Sequence, residues 1–381
     1  MKQPMDIPDK ASGAAMPCAD VDKQQAWEAG GDASRIASPP QAGSLVSLPP
    51  EFQTPTAFAQ AFELGLARMI DAHHDLGVFI LVLANAVMDA RLHARLHAAL
   101  DARFAQLCAD PPSATADDEA VFRALRGIGW DKLGAVRGRA LDDLEIQLNP
   151  LRGLRPPRNA GATIETLQRD FDPDGFHFAK PFLRKEIFWN GALMGRDAAL
   201  LYNKFPFLPW HGLLVPELHE GHAQYLSADW HAYVFELCAQ LGVSLPGVGF
   251  GYNAYGANAS VNHLHFQMFV REQGLPVAHP HWRHNGGNVP YPARCLRFDD
   301  VDQAWEVLSG FHAANQTYNL VYLPGRVYCL PRHFQGTHAH ADWNEGYAFY
   351  EMAGGLTVFD PRLFDRLNAS DLGGELARLT V

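Results

Sequence analysis

Between residues 260 and 270 the chain reads Ser-Val-Asn-His-Leu-His-Phe-Gln-Met-Phe-Val, a side-chain period of two. Successive side chains of a strand point to opposite faces, so His263, His265 and Gln267 fall on one side and Leu264, Phe266, Met268 and Val270 on the other. Such a strand needs a sheet with one face packed and the other polar. Other short apolar runs, separated by Gly and Pro, predict further strands at 186–189, 198–202, 212–215, 320–323 and 327–330, with the alternating segment taken as 263–270. Two helices interrupt them. One, at 228–241, carries Trp230, Val234, Leu237 and Leu241 on a stripe and stops at Gly242; the other, at 301–314, carries Val301, Trp305, Leu308 and Phe311. A Tyr-Asn pair follows each helix, Tyr252-Asn253 and Tyr318-Asn319, a faint sign of internal duplication.

The first third reads differently. Phe58, Phe62, Leu66 and Ile70, then Leu92, Leu96 and Leu100, recur every four residues, so 51–145 is expected to be helical. Residues 1–50 hold 7 of the 26 prolines and few large apolar groups, which predicts a disordered tail. The expected division is a tail at 1–50, a mainly helical region at 51–170, a strand-rich half at 171–275 and a second half at 276–381. Together these predict an α+β protein.

Composition narrows the partners. A formal charge of −11 opposes a general nucleic-acid-binding surface while leaving room for a small phosphorylated ligand held by local cations. Five cysteines, at 18, 108, 238, 295 and 329, with no Cys-x-x-Cys pair, fit neither a disulfide framework nor a thiolate zinc site, and a reducing cytoplasm is expected. The most apolar run, 76–88, is 13 residues, too short to span a bilayer, and no basic-led apolar leader opens the chain.

Thirteen of the 18 histidines lie between 211 and 340. The His263-x-His265 pair admits three uses. The two can be ordinary strand histidines; they can be part of a zinc site completed by His279, His281 or His284; or one can attack a phosphorus while the other holds a phosphate oxygen, since side chains two apart on a strand sit roughly 6.5–7 Å apart. For the third use, Gly247, Gly249, Gly251 and Gly256 would let backbone approach a ligand, and Asn253, Asn258 and Ser260 offer donors. No resident metal or cofactor is expected. Lys204, Arg326 and Arg332 are candidate cations for a leaving group.

Asn253, Ala259-Ser260 and His263-x-His265-x-Gln267 resemble the active-site strand of the histidine-triad superfamily's transferase branch, which includes galactose-1-phosphate uridylyltransferase, diadenosine tetraphosphate phosphorylase and the GDP-hexose phosphorylases. The segment from Leu201-Tyr202-Asn203-Lys204 to His211-Gly212 is similar to that family's first strand pair, and Gln147-Leu148-Asn149-Pro150-Leu151-Arg152 to the opening segment of the diadenosine phosphorylases. The Asn262–Gln267 stretch, with Leu275-Pro276-Val277 and Tyr291-Pro292, lies nearest the GDP-hexose phosphorylases. The resemblance implies a duplicated antiparallel sheet with packed helices, the nucleophile in the first half and no such motif in the second. It implies His265 as nucleophile with Gln267 and His263 beside it, and Asn203, Lys204, Asn253, Ser260, Asn149, Arg152 and Arg332 as substrate-binding residues. Gln267, where hydrolases of the superfamily carry histidine, implies transfer to phosphate rather than to water. The implied partners are a nucleotide sugar or dinucleoside polyphosphate and inorganic phosphate, with a homodimer compatible; a nucleotide-binding module without turnover is the rival reading. Trp282–Asn288 suits a substrate-covering loop.

Overall fold

The computed structural model describes residues 48–156, 163–344 and 346–381. The expected tail at 1–50 therefore lies almost wholly outside the described residues. Four helices open the described chain: α1 (Pro55–Ala72), α2 (Leu76–Ala86), α3 (Ala90–Ala109) and α4 (Ala116–Ile128). Each starts where a side-chain oxygen takes an otherwise unpaired backbone N–H: Thr54 from Ala57, Asp75 from Val78, Asp89 from Leu92 and Thr115 from Asp118. All eleven residues of α2 are buried, so the most apolar run of the sequence is a core helix. Among the described residues no helix is long and apolar enough to cross a membrane.

Helix does not continue to residue 145. Strands β1 (Arg137–Leu141) and β2 (Leu144–Leu148) form a hairpin, and β2 pairs in parallel with β11 (Gly355–Val358) from the far end of the chain.

The main sheet holds β3 (Ile187–Leu193), β4 (Arg196–Tyr202), β5 (Gly212–Pro216), β6 (Val248–Asn253), β7 (Phe266–Val270), β8 (Leu296–Phe298), β9 (Tyr318–Leu323) and β10 (Arg326–Pro331). Their order is β3-β4-β5-β7-β6-β9-β10-β8, and every neighbouring pair is antiparallel. The protein is α+β, as the strand and helix periods imply. Helices α5 (Ala228–Ser244) and α6 (Val301–Ala313) pack on one face. On that face Leu200, Tyr202, Leu214, Phe266, Met268, Leu320 and Tyr322 join one core with α1–α6. Their strand neighbours point the other way. There Leu201, Ala199 and Val215 form a small cluster with Phe178 and Leu183, while Phe269, Val321 and Tyr328 pack under β2, β11 and the helices α7 (Phe349–Met352), α8 (Pro361–Arg366) and α9 (Ala369–Leu379).

The glycines before the histidine motif serve packing. A side chain at Gly249 would overlap the Phe269 ring, one at Gly251 the Phe349 ring, and one at Gly256 the Phe334 ring. Gly249 and Gly251 thus sit inside β6 as seats for aromatic rings, where ligand access was expected.

Candidate active site

Strand β7 begins at Phe266, so His263, in a bend, and His265 lie on the approach to it rather than within it. The reason is a side chain. Gln224 Oε1 accepts the His265 N–H at 2.9 Å, while its Nε2 donates to the Asn253 carbonyl at 2.8 Å and the His265 carbonyl at 3.3 Å. Buried Gln224 thereby takes the place of a neighbouring strand and ties the end of β6 to the histidine segment. Nothing in the local sequence marks it for this.

His265 is buried, and its Nδ1–H donates to the His263 carbonyl at 2.8 Å. That bond fixes the tautomer and leaves the lone pair on Nε2. Burial lowers the His265 pKa to about 4, so the ring is neutral at pH 7. The residue lines a cavity of about 460 Å³ on the sheet face opposite α5.

Two amides beside it are oriented by what holds their oxygens. His211 accepts the Phe207 N–H on Nδ1 at 3.3 Å, which puts the proton on Nε2 and makes that nitrogen the donor to Gln267 Oε1 at 3.0 Å. Burial and the nearby Arg152 lower His211 to about 3, so the ring stays neutral across the neutral range. Asn253 Oδ1 likewise accepts from Asn319 Nδ2 and from the Phe349 N–H, both at 2.8 Å. With both oxygens tied back, the NH₂ groups of Gln267 and Asn253 remain as donors at the cavity wall, and Ser260 lines it too. A neutral imidazole lone pair beside two fixed donors suits attack on a phosphorus whose oxygens those donors hold.

Asn203, Lys204 and Arg152 also line the cavity. Arg152 donates to the Phe205 carbonyl and lies over the Phe207 ring, 4.3 Å from its centroid. Lys204 is paired with Asp118 at 2.5 Å. Asn149 stands behind the wall, bonding the Pro206 carbonyl at 3.0 Å and accepting the Arg152 N–H at 3.2 Å.

Besides Asn149, two further expected site residues, His263 and Arg332, do not reach the cavity with their side chains. His263 accepts the Phe178 N–H on Nδ1 at 3.1 Å, and its Nε2 is buried against the rings of Phe171 and His177. It meets the site through its carbonyl, because the chain twists before β7 and breaks the strand alternation. Arg332 is fully buried, with its guanidinium on the Tyr347 and His333 carbonyls.

The downstream histidines do not join His263 and His265. His284 Nε2–H donates to the Val277 carbonyl at 2.8 Å, while His279 and His281 gather with Asp143. Those three ligand atoms lie within 4.8 Å of one another and could hold a divalent cation outside the cavity. The Trp282–Asn288 segment packs on Val277 and Tyr291 and does not cover the cavity.

Sequence reasoning passed over Glu186, Asp75, Asp118 and the ring-bearing Phe176, Phe178 and Phe182, all of which line the cavity. They come from separate elements, and no local spacing links them.

Residues 141–269, which carry His265, Gln267, Asn253 and Asn203, match the family described as GDPGP1-like, N-terminal domain. The chain is 35% identical over 138 residues to GDP-D-glucose phosphorylase 1 of Macaca fascicularis, covering 34% of this chain and 35% of that protein. It is 30% identical over 174 residues to GDP-D-glucose phosphorylase 1 of Danio rerio, covering 40% and 47%. The chain thus spans between a third and a half of the length of these relatives. Among solved structures, the yeast Ap4A phosphorylase in complex with Ap4A superposes with a TM-score of 0.44 at 14% identity, over 70% of this chain and 99% of that one.

Proposed function

We propose that the chain is a nucleotidyltransferase of the phosphorylase type, acting on a GDP-hexose through a covalent guanylyl-His265. The observation that carries this reading is the neutral His265, with its Nε2 lone pair at a cavity where the Gln267 and Asn253 amides present donors. The family match over the same residues and the relatives named GDP-D-glucose phosphorylase 1 support the choice of donor.

In the first step His265 Nε2 attacks the α-phosphorus, the bond to the bridging oxygen breaks and hexose 1-phosphate leaves. In the second an oxygen of orthophosphate attacks the same phosphorus, the P–N bond breaks and GDP leaves. Splitting one hard displacement in two is what a histidine nucleophile offers. Gln267, Asn253 and Ser260 hold the non-bridging oxygens, and Arg152 is a wall cation that can meet a phosphate. The His263 carbonyl holds the nucleophile's tautomer. The division into halves at 171–275 and 276–381, a cytoplasmic location and a homodimer belong to the same proposal.

Incubation with GDP-glucose and orthophosphate tests the reading. GDP and glucose 1-phosphate should accumulate only when both reactants are present, and diadenosine tetraphosphate should be the poorer donor. No phosphate-dependent product from guanosine, adenosine or uridine donors would overturn it in favour of a binding module.

A further inference from the structure

Glu186 is the last residue of a short 3-10 turn, Pro181–Glu186, that leads into β3. Its carboxyl lines the cavity, the residue is only 8% exposed, and it accepts no hydrogen bond among the described residues. A buried carboxyl without donors is costly, and the cost is relieved when a ligand supplies them.

Register places Ile187, the residue after Glu186, relative to Gln267. Gln267 pairs with Leu213, Leu213 with Leu201 and Leu201 with Ile187, one row across four adjacent strands. Three strand spacings are about 14 Å, the scale of a nucleoside monophosphate. Leu213 and Leu201 line the cavity along this row, between the phosphate-holding amides at one end and Glu186 at the other.

Charge decides which part of a nucleotide belongs at the Glu186 end. Lys185 is paired with Asp75 at 2.8 Å and Lys204 with Asp118 at 2.5 Å. Both lysines are therefore engaged by carboxylates, and burial raises the Glu186 pKa to about 7, so a ligand that donates hydrogen bonds to this carboxyl suits it better than a phosphate, which would bring a second negative charge. Phe176 and Phe182, 41% and 58% exposed, stand at the same end with rings able to cover a flat base.

We infer that Glu186 is the specificity-determining residue for the base and selects guanine. Guanine carries N1–H and the N2 amino group side by side, two donors for the two carboxylate oxygens. Adenine offers one donor beside a ring-nitrogen acceptor, which faces a carboxylate oxygen unfavourably. A site built to pair two donors discriminates strongly against a ligand that lacks one. The assignment rests on the reading that this cavity holds a nucleotide with its phosphate at Gln267.

Binding of GMP, IMP and AMP to the full chain and to Glu186→Gln, without phosphate, tests it. The wild type should prefer GMP over AMP by at least ~100-fold, with IMP between. Glu186→Gln presents one acceptor and one donor, so the preference should fall to within about tenfold, AMP binding no more weakly than before. The melting temperature of the unliganded variant checks that it folds, and Glu186→Ala, with no polar head, should lose the preference as well. An unchanged preference in either variant, an equal fall in GMP and AMP affinity, or a wild type that does not prefer GMP would overturn the inference. The two claims fail separately. A Glu186-dependent guanine preference without any guanylyl-His265 sinks only the phosphorylase reading, whereas guanylyl and adenylyl adducts forming equally well sink only the role of Glu186.

Discussion

His211 touches no substrate in this account, yet replacing it should slow the reaction. Leucine at 211 removes the acceptor of the Phe207 N–H and the donor to Gln267 Oε1. The first leaves a buried N–H unpaired, which costs about 1–3 kcal/mol of stability. The second frees the Gln267 amide to turn its oxygen toward the phosphate, and losing one preorganised donor to an oxyanion costs on the order of 10²–10³ in kcat. Since Gln267 can still adopt the productive orientation part of the time, a fall in kcat of about 10- to 100-fold is expected for His211→Leu, with KM for the nucleotide sugar changed little. Steady-state rates with GDP-glucose, together with urea unfolding, separate the two effects. His211→Gln, which restores an N–H donor at 211, should recover most of the rate. A His211→Leu enzyme that is less stable but keeps its wild-type kcat would refute the claim that His211 orients Gln267.

Two more outcomes follow from burial. His211 and His265 have folded pKa values of about 3 and 4, below the unfolded value near 6.5, so protons favour the unfolded chain. Their contribution is intact above pH ~6.5 and is lost as pH falls from there toward the folded values, by about 1.4 kcal/mol per pH unit for each group. Urea midpoints should therefore drop steeply between pH 6 and about 4.5; midpoints flat over that interval would show that these rings are not held neutral. Gly251→Ala should cost about 1–3 kcal/mol or more, because the added methyl overlaps the Phe349 ring, and an unchanged thermal midpoint would contradict the packing described for β6.

The strands β4, β5, β9 and β10 and the helices α5 and α6 were legible because each carries its own period, two or 3.6, within one segment. The histidine motif was legible for a related reason, since residue types at fixed spacing name a chemistry before any fold is known. Strand β6 was hidden: its apolar residues alternate with glycines whose missing side chains are filled by Phe269 and Phe349 from elsewhere. The β1–β2 hairpin depends on β11, some two hundred residues away, and its short charged segments show no such partner. The expected strand at 263–270 was too long because a side chain, Gln224, replaces the ladder at His265. That capping also explains why His263 and His265 do not share a face. Glu186, Asp75 and Asp118 meet only after folding, so the base-facing end of the cavity left no local trace.

The central claim is the covalent guanylyl-His265, and intact-protein mass spectrometry tests it most directly. After mixing with GDP-glucose in the absence of phosphate, the chain should gain the mass of one guanylyl group. The adduct should be acid-labile, as a phosphoramidate is, should disappear on addition of orthophosphate with release of GDP, and should not form on His265→Ala. A chain that turns over GDP-glucose without ever gaining this mass, or a His265→Ala variant that gains it, would contradict the account.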